Sequence, residues 1–179
     1  MITYDDVLRK ASESSDIGAH LVRLYNFTVK IPVKEKVIVE LGVRYGYSTT
    51  ALLAAVNDSG GHLYSVDINA CPGVQDLYEK ESNWTFILGD DMEVVKGWSK
   101  PIDHLFIDTS HIFDHALNEL REWGKWVKRG GIITLHDLYC GGEKTGVFEA
   151  IVQYMKENTG KYSFTVFENS YGLGLLRRE

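Results

Sequence analysis

Asp108 closes the apolar run Leu105–Ile107, and His111 follows three residues later. A second apolar run, Ile132–Leu135, ends in His136 and Asp137. If both runs are neighbouring parallel strands, Asp108, His136 and Asp137 meet at one sheet edge, with His111 beside them. Two carboxylates from adjacent strand ends can share a divalent cation, and hard oxygen ligands favour Mg²⁺, Mn²⁺ or Ca²⁺. His136 is either a third ligand or a packed, hydrogen-bonded ring. His111 carries an imidazole that titrates near neutrality when unperturbed, the property of a general base. Each residue also has a plain structural role: Asp108 and Asp137 as caps of the loops that follow, His111 as the flank of a helix.

A second constellation lies upstream in Val37–Ser48, VIVELGVRYGYS. A short apolar run carries Glu40, a turn holds Gly42 and Gly46, and Ser48 starts a helix-compatible segment. Such a turn presents backbone N–H groups and a helix N-terminus to a nucleotide-like ligand. The glycines are spaced G-x-x-x-G, which departs from the dinucleotide pattern G-x-G-x-x-G. Further on, HLYSVDI places Asp67 at a strand end, where a carboxylate can bind a ribose diol.

The elements that must position these residues follow from periodicity and turn signals. Residues 3–27 read as one or two amphipathic helices, with Val7, Leu8, Ala11, Leu21, Val22, Leu24 and Tyr25 as buried positions. Strands are expected at Val37–Leu41, His62–Ile68, Trp84–Leu88, Ile102–Ile107 and Ile132–His136. Helices are expected at Ser48–Val56, Val74–Lys80, Met92–Trp98, His111–Val127 and Gly146–Glu157. Asn57–Gly61 stops the first of these, and Arg129-Gly130-Gly131 turns the chain into the fifth strand. Asn169-Ser170 suits a tight hairpin between Tyr162–Glu168 and Tyr171–Arg177. Trp98, Trp123 and Trp126 are expected to pack under the sheet, and Asp114 and His115 to be solvated. Five β–α alternations followed by a hairpin define an α/β protein with an open, mainly parallel sheet and helices on both faces.

At 179 residues the chain reads as one domain. The net charge of −6 argues against a nucleic-acid partner, which calls for a basic face. No run reaches the roughly 18 apolar residues of a membrane span, so no membrane partner is expected. The N-terminus lacks the basic flank and apolar stretch of a signal peptide, so a cytoplasmic location is expected. Cys71 and Cys140 read as two reduced thiols, and no Cys/His spacing of a zinc site occurs.

The Val37–Ser48 loop resembles the S-adenosylmethionine loop of class I methyltransferases, and its E-L-G-x-x-x-G-Y-S wording is most similar to catechol O-methyltransferase-like enzymes. The run Leu105–Leu138 resembles a metal-dependent small-molecule O-methyltransferase family that includes macrolide sugar O-methyltransferases. That family's pattern is roughly I-D-G-D-H-x-Y-E, a downstream W, then G-G-x-I-x-x-H-D. Ile107, Asp108, His111, Trp123, Gly130, Gly131, Ile133, His136 and Asp137 match it. Thr109 and Ser110 replace its Gly-Asp pair, and Phe113 and Asp114 are conservative variants.

The resemblance implies a Rossmann-like sheet of order 3-2-1-4-5-7-6 with strand 7 antiparallel. It implies that Gly42 and Gly46 admit the methionine moiety, that Ser48 binds its carboxylate, and that Glu40 orients the turn or the amino group. Asp67 would take the ribose, Asp91 the adenine amino group, and Asp108 would stand beside the methyl sulfonium. Asp108, His136 and Asp137 would hold the cation. With Ser110 in place of an aspartate, the base role falls to His111, where catechol O-methyltransferase-like enzymes carry a lysine. The implied activity is methyl transfer to a hydroxyl of a small molecule or sugar. Metal-independent transfer and an inactive cofactor-binding protein are the alternatives. With only a short segment before the first strand, either the acceptor is large and the pocket open, or a second subunit in a homo-oligomer completes it.

Overall fold

Ile102–Ile107 is buried at every residue and Val37–Leu41 at all but the first, the pattern of strands covered on both faces. The computed structural model describes residues 1–139 and 146–179, so the expectation for Cys140 lies outside the described residues. Within them, β1 (Val37–Leu41), β2 (His62–Asp67), β3 (Trp84–Leu88), β4 (Ile102–Ile107), β5 (Val127–His136), β6 (Tyr162–Phe167) and β7 (Leu173–Arg178) form one sheet. Its order is β3-β2-β1-β4-β5-β7-β6, with β1 to β5 parallel and β7 antiparallel to both neighbours. This is the order the resemblance implies.

Strand alternation sorts the core into two layers. Val39, Leu41, Leu105 and Ile107 face α6 (Phe113–Trp123) and α7 (Val147–Glu157), where Trp123 is wholly buried. Ile38 and Phe106 face α1 (Tyr4–Ser12), α2 (Leu21–Val29), α3 (Tyr47–Ser59) and α4 (Pro72–Tyr78). Trp98 and Trp126 pack on the α6–α7 layer, and Trp84 stacks edge-on against Tyr78 while its Nε1 donates to Ser65 Oγ at 2.9 Å.

Polar side chains on the second face are paired within it. His104 lies between Thr28 Oγ1 at 2.8 Å and Thr134 Oγ1 at 2.7 Å. Val7, Leu21 and Leu24 are buried as expected, whereas Leu8 is 46% exposed because α1 sits at the rim of the layer and offers it one narrow stripe.

Four boundaries differ from the sequence reading in ways that move functional residues. α3 runs on through Asn57-Asp58-Ser59 and stops at Gly60, whose φ is 83°. α6 begins at Phe113, which leaves His111 in the loop after β4 rather than in a helix. β5 begins at Val127: the expected turn at Arg129–Gly131 is a bulge in the strand, allowed by Gly130 at φ 77°. The β6–β7 connection spans residues 168–172, and Ser170, Tyr171 and Gly172 all have positive φ. Tyr171 thus lies in a loop, not a strand.

Candidate active site

The strand order reverses between β1 and β4, and the crevice of an open α/β sheet lies outside such a switch point. Gly42 leaves β1 with φ 88°, and a Cβ there would lie 2.1 Å from the Asp108 carbonyl oxygen. The glycine is therefore required by the end of β4 itself, before any ligand approaches. Gly46, at φ 74°, is the N-cap of α3 and packs against Val74 and Tyr78. Asp67 pins the loop between them: its Oδ2 accepts from Val43 N at 2.8 Å and Arg44 N at 3.1 Å, its Oδ1 from Asn69 N at 2.8 Å. Burial works against its charge, but the N–H groups of Asn69, Val43 and Arg44 outweigh it and hold the carboxyl below its ordinary range.

Glu40 is fully buried and accepts from Ser48 Oγ at 2.6 Å, Ser65 Oγ at 2.6 Å and Thr49 Oγ1 at 2.9 Å. Burial raises its carboxyl to about 7 against the pull of those hydroxyls. The expected role of orienting the turn fits this placement, and direct contact with a ligand does not. The Ser48 hydroxyl proton is committed to Glu40, so a contact of Ser48 with the cofactor carboxylate would be made by its backbone N–H. The unpaired N–H groups of the first turn of α3 are the donors left there.

Two cavities open on this edge. The larger, about 1010 Å³, is lined by Lys10, Asp16, Tyr45, Tyr47, Asp137 and Tyr171 among others. The smaller, about 350 Å³, is lined by Asp67, Ile68, Asn69, Asp90, Asp91 and His115 among others. Gly42, Arg44, Asp108 and Thr109 line both and mark the junction. One wall of the larger cavity is the N-terminal segment, with Ser14, Ser15 and Ile17. Asp91 reaches the smaller cavity at the first residue of α5 (Asp91–Val94). The Met92 N–H is capped by Asp90 Oδ1 at 2.8 Å.

Asp108, His111, His136 and Asp137 do converge. His111 Nε2 lies 3.0 Å from Asp137 Oδ2 and 3.7 Å from Asp108 Oδ1. His136 Nδ1 lies 3.5 Å from Asp137 Oδ1 and 3.6 Å from Asp108 Oδ1. His136 Nε2 contacts the Ser170 carbonyl at 2.9 Å; as donor there, the ring turns Nδ1 toward the carboxylates. His136 Nδ1 and Asp137 Oδ1 are buried and have no hydrogen-bond partner. Asp137, the residue after β5, adopts φ 59°, a left-handed conformation that aspartate tolerates better than most residues.

Asp108 and Asp137 hold the His111 imidazole well above its ordinary pKa, so in this arrangement it is a cation rather than the near-neutral base expected. Burial disfavours the charged His136, yet the same two carboxylates raise it as well. The carboxyl of Asp137 is in turn held far below the usual range, burial being outweighed by the two imidazoles.

Several residues lining or adjoining the cavities are not singled out as site residues by the sequence. Arg44, at φ 51°, pairs with Asp16 at 2.7 Å across the cavity junction. His20 is buried edge-on against His136 at 5.6 Å and contacts the Asn169 carbonyl at 2.6 Å. Ile68 is 70% exposed beside Asp67; an apolar residue at a strand end was the available clue. His115, expected to be solvated, instead faces Asp91 and the buried Glu119.

A sheet of this order, with a glycine turn and an acidic strand end around one crevice, is the architecture of class I S-adenosylmethionine-dependent methyltransferases. Residues 39–138 match the family model described as a methyltransferase domain, more than half of the chain. Among solved structures, a protein described as a "putative O-methyltransferase" from Klebsiella pneumoniae superposes with a TM-score of 0.71 at 17% identity, over 98% of this chain and 89% of that one. An rRNA methylase from Streptococcus thermophilus gives 0.65 at 14% identity, over 92% and 97%. An SAH-bound methyltransferase from Podospora anserina gives 0.61 at 15%, over 89% and 87%. At such identities the likeness is one of fold. The chain belongs to the methyltransferase domain family and has the fold of class I S-adenosylmethionine-dependent methyltransferases.

Proposed function

We propose that the chain transfers the methyl group of S-adenosylmethionine to a hydroxyl of a small molecule or sugar, assisted by a divalent cation. The observation that carries this reading is the facing of two carboxylates and two imidazoles around buried atoms that lack partners. Ligand atoms bound at about 2.0–2.2 Å around one ion lie about 3–3.6 Å from each other, the spacing seen here. The donors fit the group: Asp108 and Asp137 supply hard oxygens, and His136 offers Nδ1. One imidazole among carboxylates favours Mn²⁺ over Ca²⁺. When bound, such a cation lowers the pKa of an acceptor hydroxyl.

The smaller cavity suits the adenosine half of the cofactor. Asp67 and Asp91 line it, where they would take the ribose and the adenine amino group, and exposed Ile68 would offer an apolar face to the ring. Gly42 and the start of α3 would hold the methionine half, with Asp108 at the junction beside the methyl sulfonium. The cofactor supplies an electrophilic methyl group, and in-line transfer needs the acceptor oxygen held close and aligned. Tyr45, Tyr47 and Tyr171 give the larger cavity aromatic faces for a sugar or phenolic ring. His111, in the loop after β4, stands where the acceptor proton must leave. A cation held by Asp108 and Asp137 would offset part of their charge and lower the pKa of His111, whose Nε2 would then be able to take that proton. The net charge of −6 supports a small acceptor over RNA. Among the described residues no helix is long and apolar enough to cross a membrane.

Turnover with labelled S-adenosylmethionine, over a panel of catechols, flavonoids and glycosides, tests this reading. Activity should fall in EDTA and return with Mn²⁺ or Mg²⁺. Full activity in excess EDTA would instead make the enzyme metal-independent, and tight S-adenosylhomocysteine binding without any turnover would make it a binding protein.

A further inference from the structure

At the wall of the smaller cavity, His115 and Glu119, which the methyl-transfer reading does not use, converge on Asp91, its expected adenine contact. His115 and Glu119 stand one helical turn apart on the same face of α6, and Asp91 opens α5 opposite them. His115 Nε2 lies 3.4 Å from Asp91 Oδ1 and 3.6 Å from Glu119 Oε1. One ligand atom from each residue lies within 4.8 Å of the other two. These separations exceed the 2.7–3.2 Å of an ordinary hydrogen bond. They match the edge of a tetrahedron around an ion with bonds of about 2.0–2.1 Å, which is about 3.4 Å.

The unmatched atoms point the same way. Glu119 has no exposed surface; its Oε1 accepts from Thr109 Oγ1 at 2.6 Å, but its Oε2 has no partner. Asp91 is 9% exposed, and its Oδ2 also lacks a partner. Two buried carboxylates served by one half-exposed imidazole are under-compensated, since an interior charge requires both a counter-charge and hydrogen bonds or metal bonds.

We propose that Asp91, His115 and Glu119 form a second divalent-cation site, of the Zn²⁺ class, that ties α5 to α6 at the wall of the smaller cavity. The donor set of one imidazole nitrogen and two carboxylate oxygens suits Zn²⁺, with a fourth position for water. Asp91 and His115 line the cavity, so that position has access to solvent. The site shares no residue with Asp108, His111, His136 and Asp137, and it stands whether or not the transfer reaction uses a metal.

Calorimetric titration with Zn²⁺ and visible absorption of the Co²⁺-substituted protein test it. The Asp108→Ala, Asp137→Ala double variant removes the other carboxylate pair and should still bind one Zn²⁺ per chain. Adding His115→Ala or Glu119→Gln should weaken that binding at least about tenfold and abolish the four-coordinate Co²⁺ bands. Absence of Zn²⁺ binding in the folded double variant overturns the proposal, as does binding unchanged by both additions. If the double variant or Glu119→Gln fails to fold, wild type and His115→Ala are compared directly. Loss of one bound Zn²⁺ per chain is then expected, and equal stoichiometry overturns the site. Zn²⁺ retained by the double variant while Mn²⁺-dependent turnover is absent separates this site from the active-site cation.

Discussion

The ends of β1 and β2 and the ends of β4 and β5 treat their carboxylates in opposite ways. On the cofactor side, Glu40 has three hydroxyl donors and Asp67 has three backbone N–H donors. Those side chains are held by short, complete hydrogen bonds, and they hold the loop in turn. On the catalytic side, Asp108 and Asp137 face imidazoles at 3.0–3.7 Å, and buried atoms stay unmatched. A saturated carboxylate is part of a rigid scaffold, whereas one left short of partners is poised to receive something else. On the proposed reading, the contrast separates residues that shape the crevice from residues that would act in it.

The largest expected effect tests the acting side. His111→Ala should lower kcat by roughly 10²–10⁴-fold, the usual contribution of a general base, while the S-adenosylhomocysteine dissociation constant hardly changes. Near-wild-type turnover would reduce His111 to a counter-charge for Asp108 and Asp137, and the contrast would lose its catalytic half.

Gly42→Ala tests whether the two sides are mechanically joined. A methyl group would press into the Asp108 carbonyl from a left-handed backbone. Strain and overpacking together should cost about 2–4 kcal/mol in denaturant unfolding. A variant as stable as wild type would show that the turn after β1 relaxes freely away from β4.

Glu40→Gln examines the cost of a buried carboxylate in the scaffold. The folded carboxyl sits at about 7 against an ordinary 4.5. As pH rises from 4.5, the unfolded chain loses this proton first, so wild type loses stability until the folded group also ionises near pH 7. The stability of Glu40→Gln relative to wild type should therefore grow across that window, by up to about 3 kcal/mol. A difference that stays flat with pH would mean that the three hydroxyls already compensate the charge.

The smallest effect is at Asp67, which is both scaffold and ligand contact in our reading. Asp67→Ala should weaken S-adenosylhomocysteine binding by about 1–3 kcal/mol in calorimetry, through loss of a charge-assisted hydrogen bond. Unchanged affinity in a folded variant would leave Asp67 with only its loop-pinning role.

The strands and the two constellations are legible in the sequence because each rests on local pattern, whereas the order of the strands in the sheet follows only from the family resemblance. Buried parallel strands read as continuous apolar runs, and the Gly42 and Gly46 turn has few alternatives. The bulge at Gly130 was read as a turn because a glycine pair signals a break without saying whether pairing resumes. His115 was read as solvated because helical position alone does not reveal that Asp91 and Glu119 lie against it. Tyr171 was placed in a strand because the five-residue connection with positive φ at Ser170, Tyr171 and Gly172 has only one glycine to announce it.

By itself the amino-acid order determined which residues stand at strand ends, since alternation and turn chemistry act over a few residues. It thereby determined the order of elements and the candidate donors Asp67, Asp108, His136 and Asp137. The tertiary structure decided what those donors face. Only there does Ser48 spend its hydroxyl on Glu40, does the N-terminal segment wall the larger cavity, and does the Asp108–Asp137 pair hold His111 as a cation. Hydrogen-bond partners, burial and electrostatic field are set by groups far apart along the chain, and those are the quantities that fix which side chain is free to react.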